Sequence, residues 1–308
     1  MKILIAYDGT VCSDNAIIDL RRAGLPLAAE AMVLSVADIS SPLVAVPFGA
    51  TAAGPAVSFG QGMENDEPGL HELRESRLMS SQGAARLRAD FPDWKISTET
   101  WVDSAGAAII RKAHTWEPDL IVVGSHGRSG FSRLVLGSVS LQVLHQVSYS
   151  VRISRHHLHP QDRAIRLVVA VDGSNNSRGA VQAIGARNWP AGTEVRVLGV
   201  MDTGIALSAA TTLEGTIPVT AEEELRKCLC CAARDAAQEL KKSGLLATPQ
   251  LLAGKPDEVI IAEAEDWSAD AIFLGGRQLS GLGRFLLGSV SSSVAARAHC
   301  SVEVVRPQ

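Results

Sequence analysis

No stretch of this chain approaches the roughly 20 consecutive apolar residues of a membrane-spanning helix, so no membrane partner is expected. Positive charge is not in excess either. Lys and Arg total 29 against 33 Asp and Glu, a formal net charge of −4, which gives no general reason to expect nucleic acid or an anionic surface as partner. Five cysteines among 308 residues, an odd number, do not make a disulfide framework, and a reduced cytoplasmic setting is the expectation. The opening Met1 to Ala6 is too short for a signal-peptide core and runs into a charged turn, so it reads as a first strand. The Walker pattern GxxxxGK[ST] is absent, no GxGxxG follows the first strand, and no strong nucleophile–base–acid constellation stands out.

What the chain does contain, it contains twice. Gly124-Ser125-His126-Gly127-Arg128-Ser129-Gly130, followed by Arg133 and Gly137-Ser138, returns as Gly275-Gly276-Arg277-Gln278-Leu279-Ser280-Gly281, followed by Arg284 and Gly288-Ser289, 151 residues later. Asp8-Gly9-Thr10 returns as Asp172-Gly173-Ser174 after 164 residues, so the first half carries 13 extra residues, placed here in the stretch 38–68. A period of half the chain means duplication of a whole domain rather than a solenoid of ~20–50-residue units. The expected domains are 1–155 and 164–308, with a boundary in the polar stretch from Arg155 to Arg163.

Short apolar runs alternate with helical segments in both halves. Strands are expected at Lys2 to Tyr7, Ala31 to Val36, Ile96 to Val102, Leu120 to Val123 and Ser150 to Ile153. The helices between them are expected at Asp14 to Ala23, Leu70 to Asp90, Ala105 to Trp116 and Ser138 to Val147, and the second half repeats the order. This pattern predicts an α/β chain of two tandem doubly wound domains, each a five-stranded parallel sheet in the order 3-2-1-4-5 with helices on both faces. Ligands of such sheets collect beyond the carboxyl ends of strands 1 and 4, where both repeated signatures fall. There, glycines let backbone N–H groups approach an anion, the helix start at Ser138 adds partial positive charge, and Arg128 and Arg133 can supply counter-charge. The competing reading is a tight strand-to-helix connection and nothing more.

The spacing Gly124, Gly127, Gly137, Ser138, taken with the Asp-Gly-Thr/Ser turn after the first strand, resembles the universal stress protein family, and the resemblance covers both halves. It implies a tandem member that binds ATP with Mg²⁺. Carried over by position, the first site would comprise Asp8, Gly9 and Thr10, Val36 beside the adenine, Gly124, Ser125, His126, Gly127, Arg128, Gly130, Gly137, Ser138 and Val139. The second would use Asp172, Gly173, Val200, Gly275, Gly276, Gly288 and Ser289. Gln278 stands where Gly127 stands, which favours the first half. Conversely, Gly254-Lys255-Pro256 precedes the third helix of the second half, whereas the first half has Asp103-Ser104-Ala105, a carboxylate that either faces phosphate or caps the helix. The function implied is an ATP-binding regulatory module of the stress response. A slow ATPase assisted by Asp8, His126 and Ser138, and a nucleotide-free scaffold, are the alternatives.

Other features have both a structural and a functional reading. Cys228, Cys230 and Cys231 lie inside a long helix and read as buried thiols before they read as redox or metal groups. His156, His157 and His159 read as a solvated linker, and Trp116 and Trp267 as packing at helix ends. Arg152 and Glu303 are charges in otherwise apolar last strands. Either they face solvent independently, or the halves pair internally through these strands with the two charges together, as family dimers commonly pair. A homodimer beyond that stays open. The stretches 38–68 and 202–220 leave strand 2 and could cover a nucleotide or a partner.

Overall fold

The computed structural model describes residues 1–37, 68–125, 136–155, 163–202, 219–276 and 287–306. The first half runs β1 (Lys2–Ala6), α1 (Val11–Leu20), β2 (Glu30–Ala37), α2 (Pro68–Asp90), β3 (Lys95–Val102), α3 (Ala105–Trp116), β4 (Leu120–Gly124), α4 (Ser138–Gln146) and β5 (Ser150–Ser154). The second runs β6 (Arg166–Val171), α5 (Asn175–Gly185), β7 (Glu194–Met201), α6 (Val219–Lys242), β8 (Leu246–Ala253), α7 (Pro256–Asp266), β9 (Ala271–Gly275), α8 (Ser289–Arg297) and β10 (Ser301–Val305). Each half is a parallel sheet in the order 3-2-1-4-5. The two join into one ten-stranded sheet, β3-β2-β1-β4-β5-β10-β9-β6-β7-β8, whose β5–β10 seam is antiparallel. α1 starts three residues before the expected Asp14, because the Thr10 side chain caps it by accepting from the Ser13 N–H.

Alternation along the strands sets the layers. Val151 and Ile153 of β5, with Val302 and Val304 of β10, face a core that runs unbroken across both halves. It lies beneath Ile109 of α3, Val143 and Leu144 of α4, Ile260 of α7 and Val294 of α8. The opposite face holds two separate clusters. One packs Ile17 and Leu20 of α1 and Leu87 of α2 on β1, and the other packs Val181 and Ile184 of α5 and Leu240 of α6 on β6.

Arg152 and Glu303 fill the gap between those clusters, directly opposite each other in the β5–β10 register. Both are fully buried, as is Asp19, which rules out the solvent-facing reading. Arg152 Nε and Nη2 donate to the two Asp19 carboxylate oxygens at 2.6 and 3.0 Å, and Nη1 donates to Glu303 at 3.2 Å. Arg187 pairs with Glu303 from its other side, and Ser301 Oγ donates to Asp19 at 2.9 Å. Burial alone would lower the Arg152 pKa, but the two carboxylates outweigh it and hold the guanidinium above its ordinary value. The seam is completed by Asp270, which accepts from Arg22 and Arg163, and by Gly24, whose left-handed backbone lies against the Trp189 ring.

The α6 cysteines are not the buried thiols expected of them. Cys228 and Cys231 are exposed and Cys230 is half-buried. The buried stripe of α6 is Leu229, Ala233, Ala236, Ala237 and Leu240, at helical spacing, and the two exposed thiols flank it. Trp267 ends α7 with Arg196 and Arg166 stacked over its ring, a packing role. The three linker histidines and the stretches 38–67 and 203–218 lie outside the described residues.

Candidate functional site

In the first half β1 ends where Asp8, Gly9 and Thr10 turn into α1. Asp8 Oδ1 accepts from the Thr10 N–H at 3.1 Å and the Thr10 hydroxyl at 2.6 Å, while Thr10 caps the helix. Gly9 takes a φ of +74°, which explains glycine there, with Met79 of α2 packed over it. Ser35 Oγ donates to the Tyr7 carbonyl at 2.7 Å and fixes the end of β1 against β2. Leu34 gives its carbonyl to the Tyr7 N–H and Ala37 gives its carbonyl to Asp103, so the Val36 backbone, by alternation, faces the side on which β1 has ended. That side is the crevice beyond β1 and β4.

The other wall is the end of β4. The Ser125 N–H is spent on the Ser154 carbonyl at 3.1 Å, and the Ser125 carbonyl accepts from the Gly137 N–H at 2.8 Å, which ties the end of β4 to the start of α4. Gly137 is the N-cap of α4 and makes no side-chain cap. Ser138 is exposed at the first helical position and Val139 is half-buried against the core. The first N–H groups of α4 have no intrahelical partner and begin beside the end of β4, an arrangement that favours an anion. His126, Gly127, Arg128 and Gly130 lie outside the described residues. Asp103 accepts from the Ser104 N–H at 2.7 Å and pairs with Arg111, so its charge is engaged along α3.

The second half repeats the design with differences. Asp172 accepts from the Ser174 N–H at 3.0 Å, and Gly173 has φ +81° beneath Cys228 of α6. Burial would raise the Asp172 pKa, but the bonds from Ser174 and Ser177 outweigh it and hold the carboxyl below its ordinary value. Val200 faces the crevice as Val36 does, since its neighbour Met201 gives its carbonyl to Gly254. The Gly276 N–H is spent on the Val305 carbonyl at 2.7 Å, and Gly288 caps α8 without a side-chain bond, leaving Ser289 exposed. A Cβ on Gly275 would stand 2.4 Å from the Asn176 backbone, against 3.2 Å from the Cys12 backbone at Gly124, so the second crevice is tighter at its root.

Two pairs of residues were not singled out in the sequence. Ser140 Oγ donates to the Gly124 carbonyl at 2.6 Å and Ser291 Oγ to the Gly275 carbonyl at 3.2 Å, tying each helix start to its strand end. The signal was the repeated Gly-Ser-Val-Ser. Arg155 and Arg306, which directly follow β5 and β10, are 6% exposed and bond into the opposite half. They too stand 151 residues apart.

The model of the universal stress protein family matches residues 1–155 and again 165–306. A universal stress protein of Mycolicibacterium smegmatis is 27% identical over 219 residues, 69% of each chain. The universal stress protein Sll1388 of Synechocystis is 38% identical over 69 residues, a match that spans 22% of this chain and 45% of that one. Among solved structures, a universal stress protein of Archaeoglobus fulgidus superposes with a TM-score of 0.63 at 21% identity, covering 99% of this chain and 98% of its own. A Pseudomonas aeruginosa structure described as a putative universal stress protein gives 0.57 at 16% identity, covering 99% and 93%. Two matched domains on one ten-stranded sheet have a single reading: the chain belongs to the universal stress protein family and carries two of its domains in tandem.

Proposed function

We propose that the chain is a nucleotide-binding regulatory module that takes ATP with Mg²⁺ in the crevice beyond β1 and β4 of its first half. The observation that carries this reading is the helix start at Gly137-Ser138, whose N-cap is a glycine without a side chain to cap it and whose Gly137 N–H bonds the Ser125 carbonyl, opposite the Asp8-Gly9-Thr10 turn. Backbone N–H groups there suit the phosphates, the Val36 backbone suits the base, and Asp8 suits the nucleoside. Mg²⁺ is held mainly through substrate phosphates with few protein oxygens, and among the described residues the exposed Ser138 hydroxyl is an oxygen that fits. The ion would screen the triphosphate charge. The first half is favoured over the second because it keeps Gly127 where the second has Gln278, and because its root is less crowded.

Denaturing the purified protein and quantifying released nucleotide, then titrating stripped protein calorimetrically with ATP and Mg²⁺, tests the reading. A stoichiometry near one is expected, and Asp8→Ala should weaken binding by roughly tenfold, the scale of a charged hydrogen bond. No released nucleotide and no binding heat at two temperatures would leave the nucleotide-free scaffold.

A further inference from the structure

The two crevices are connected by a reciprocal pair of arginines. The Arg155 backbone N–H donates to Ser301 Oγ at 3.0 Å, its Nη1 to the Cys300 carbonyl at 3.4 Å, and its Nη2 to the Ala295 and Ala296 carbonyls at 2.6 and 3.4 Å. Arg306 mirrors this onto the first half. Its N–H donates to Ser150 Oγ at 3.1 Å, its Nη1 to the Tyr149 carbonyl at 3.0 Å and its Nη2 to the Leu144 carbonyl at 2.5 Å. The two arginines, and the residues they grip at Ser301 and Ser150, Cys300 and Tyr149, and Ala295 and Leu144, stand 151 residues apart, so the arrangement is a two-fold exchange. Burial lowers both guanidinium pKa values to about 10, which leaves them charged at neutral pH.

Leu144 lies in the last turn of α4, and Ala295 and Ala296 lie in the last turn of α8. A cation at a helix C-terminus satisfies orphan carbonyls and matches the helix dipole. The other ends of these same helices are Gly137-Ser138 and Gly288-Ser289, the anion-facing starts. The residue before each arginine also matters, since the Ser154 carbonyl accepts from the Ser125 N–H at the end of β4, and the Val305 carbonyl accepts from the Gly276 N–H at the end of β9. Each arginine is therefore one peptide unit from the foot of its own half's loop while its side chain grips the phosphate-facing helix of the other half.

We infer that Arg155 and Arg306 are positioning residues, each setting the phosphate-facing helix of the opposite half, so that an anion bound in one crevice changes the affinity of the other. This rests on the nucleotide-binding reading above. The coupling is reciprocal, because a bound phosphate that pulls α4 acts on Arg306 and thereby on the foot of the second loop, and the reverse holds through α8.

The test uses the full chain, with hydrogen exchange at the opening turns of α4 and α8 read beside ATP titration. Arg306→Gln is expected to raise exchange at the start of α4 and weaken first-site binding by roughly threefold to tenfold, the scale of a helix-end charge, while the start of α8 stays as in wild type. Arg155→Gln gives the mirror result in exchange, raised at the start of α8 with the start of α4 as in wild type. Arg306→Lys keeps the charge with fewer donors, falls between wild type and glutamine in the same crossed pattern, and decides the matter if the glutamine variant does not fold. Equal loosening of both helices, or loosening confined to the variant's own half, overturns the inference. A wild type that binds no ATP refutes the nucleotide reading, and with it the affinity coupling. The crossed exchange pattern then decides only whether each arginine sets the opposite helix.

Discussion

Gly124 and Gly275 occupy the same place in the repeat, yet the chain has closed around them to different degrees. The α5 start presses its backbone to 2.4 Å from where a Gly275 Cβ would stand, whereas the α1 start leaves 3.2 Å at Gly124. Gly275→Ala should therefore cost about 1–3 kcal/mol through forced backbone shifts, and Gly124→Ala distinctly less. Urea denaturation of the two variants checks this, and equal midpoint shifts would show that the two roots are alike. At this scale the sequence was most readable where a residue type is unusual. Glycine after an Asp in a turn announces a positive φ, and Gly9 and Gly173 have it. It was least readable where an ordinary residue does its work by position. Arg155 opens a polar boundary stretch in the sequence, yet it is buried. Ser140 and Ser291 are common helix-surface residues until the strand end is seen beside them.

Among the elements, β5 and β10 show how far pairing can be read from a pattern. A charge in an apolar strand is conspicuous, and Arg152 and Glu303 were conspicuous for that reason. Asp19 on α1 and Arg187 just after α5 were not, because charges on or beside a helix are unremarkable until a fold turns them inward. Their presence changes what a charge swap should do. Arg152→Glu and Glu303→Arg should each destabilise by about 3–5 kcal/mol, as broken buried pairs do. The double swap should not restore stability, because the carboxylate introduced on β5 would then meet Asp19 and the guanidinium introduced on β10 would meet Arg187. Chemical denaturation of the three variants reads this directly, and a double variant as stable as wild type would mean that Asp19 and Arg187 carry little of the pairing. Helix and strand order were legible from alternating periodicity and turn residues. Element ends shifted by a few residues where a cap such as Thr10 extended a helix.

For the whole molecule, the two-domain pattern in the sequence suggests two independent folding units, but one core crosses the seam from Leu4 and Ile121 through Val151 and Val302 to Ile272 and Val168. A single calorimetric transition is expected, with equal calorimetric and van't Hoff enthalpies. Two resolved transitions would show that the seam is weaker than either half. The sequence could not reveal this continuity, because alternation gives each strand an inner and an outer face without telling which faces of different halves become contiguous. The antiparallel seam has a further consequence. Had two separate identical chains met along this edge, symmetry would set position 152 against its own copy, arginine facing arginine or glutamate facing glutamate. Fusion into one polypeptide gives that axial position two letters in place of one. Opposite charges can then occupy it, and each copy is free to change at the axis without the same change being imposed on its twin.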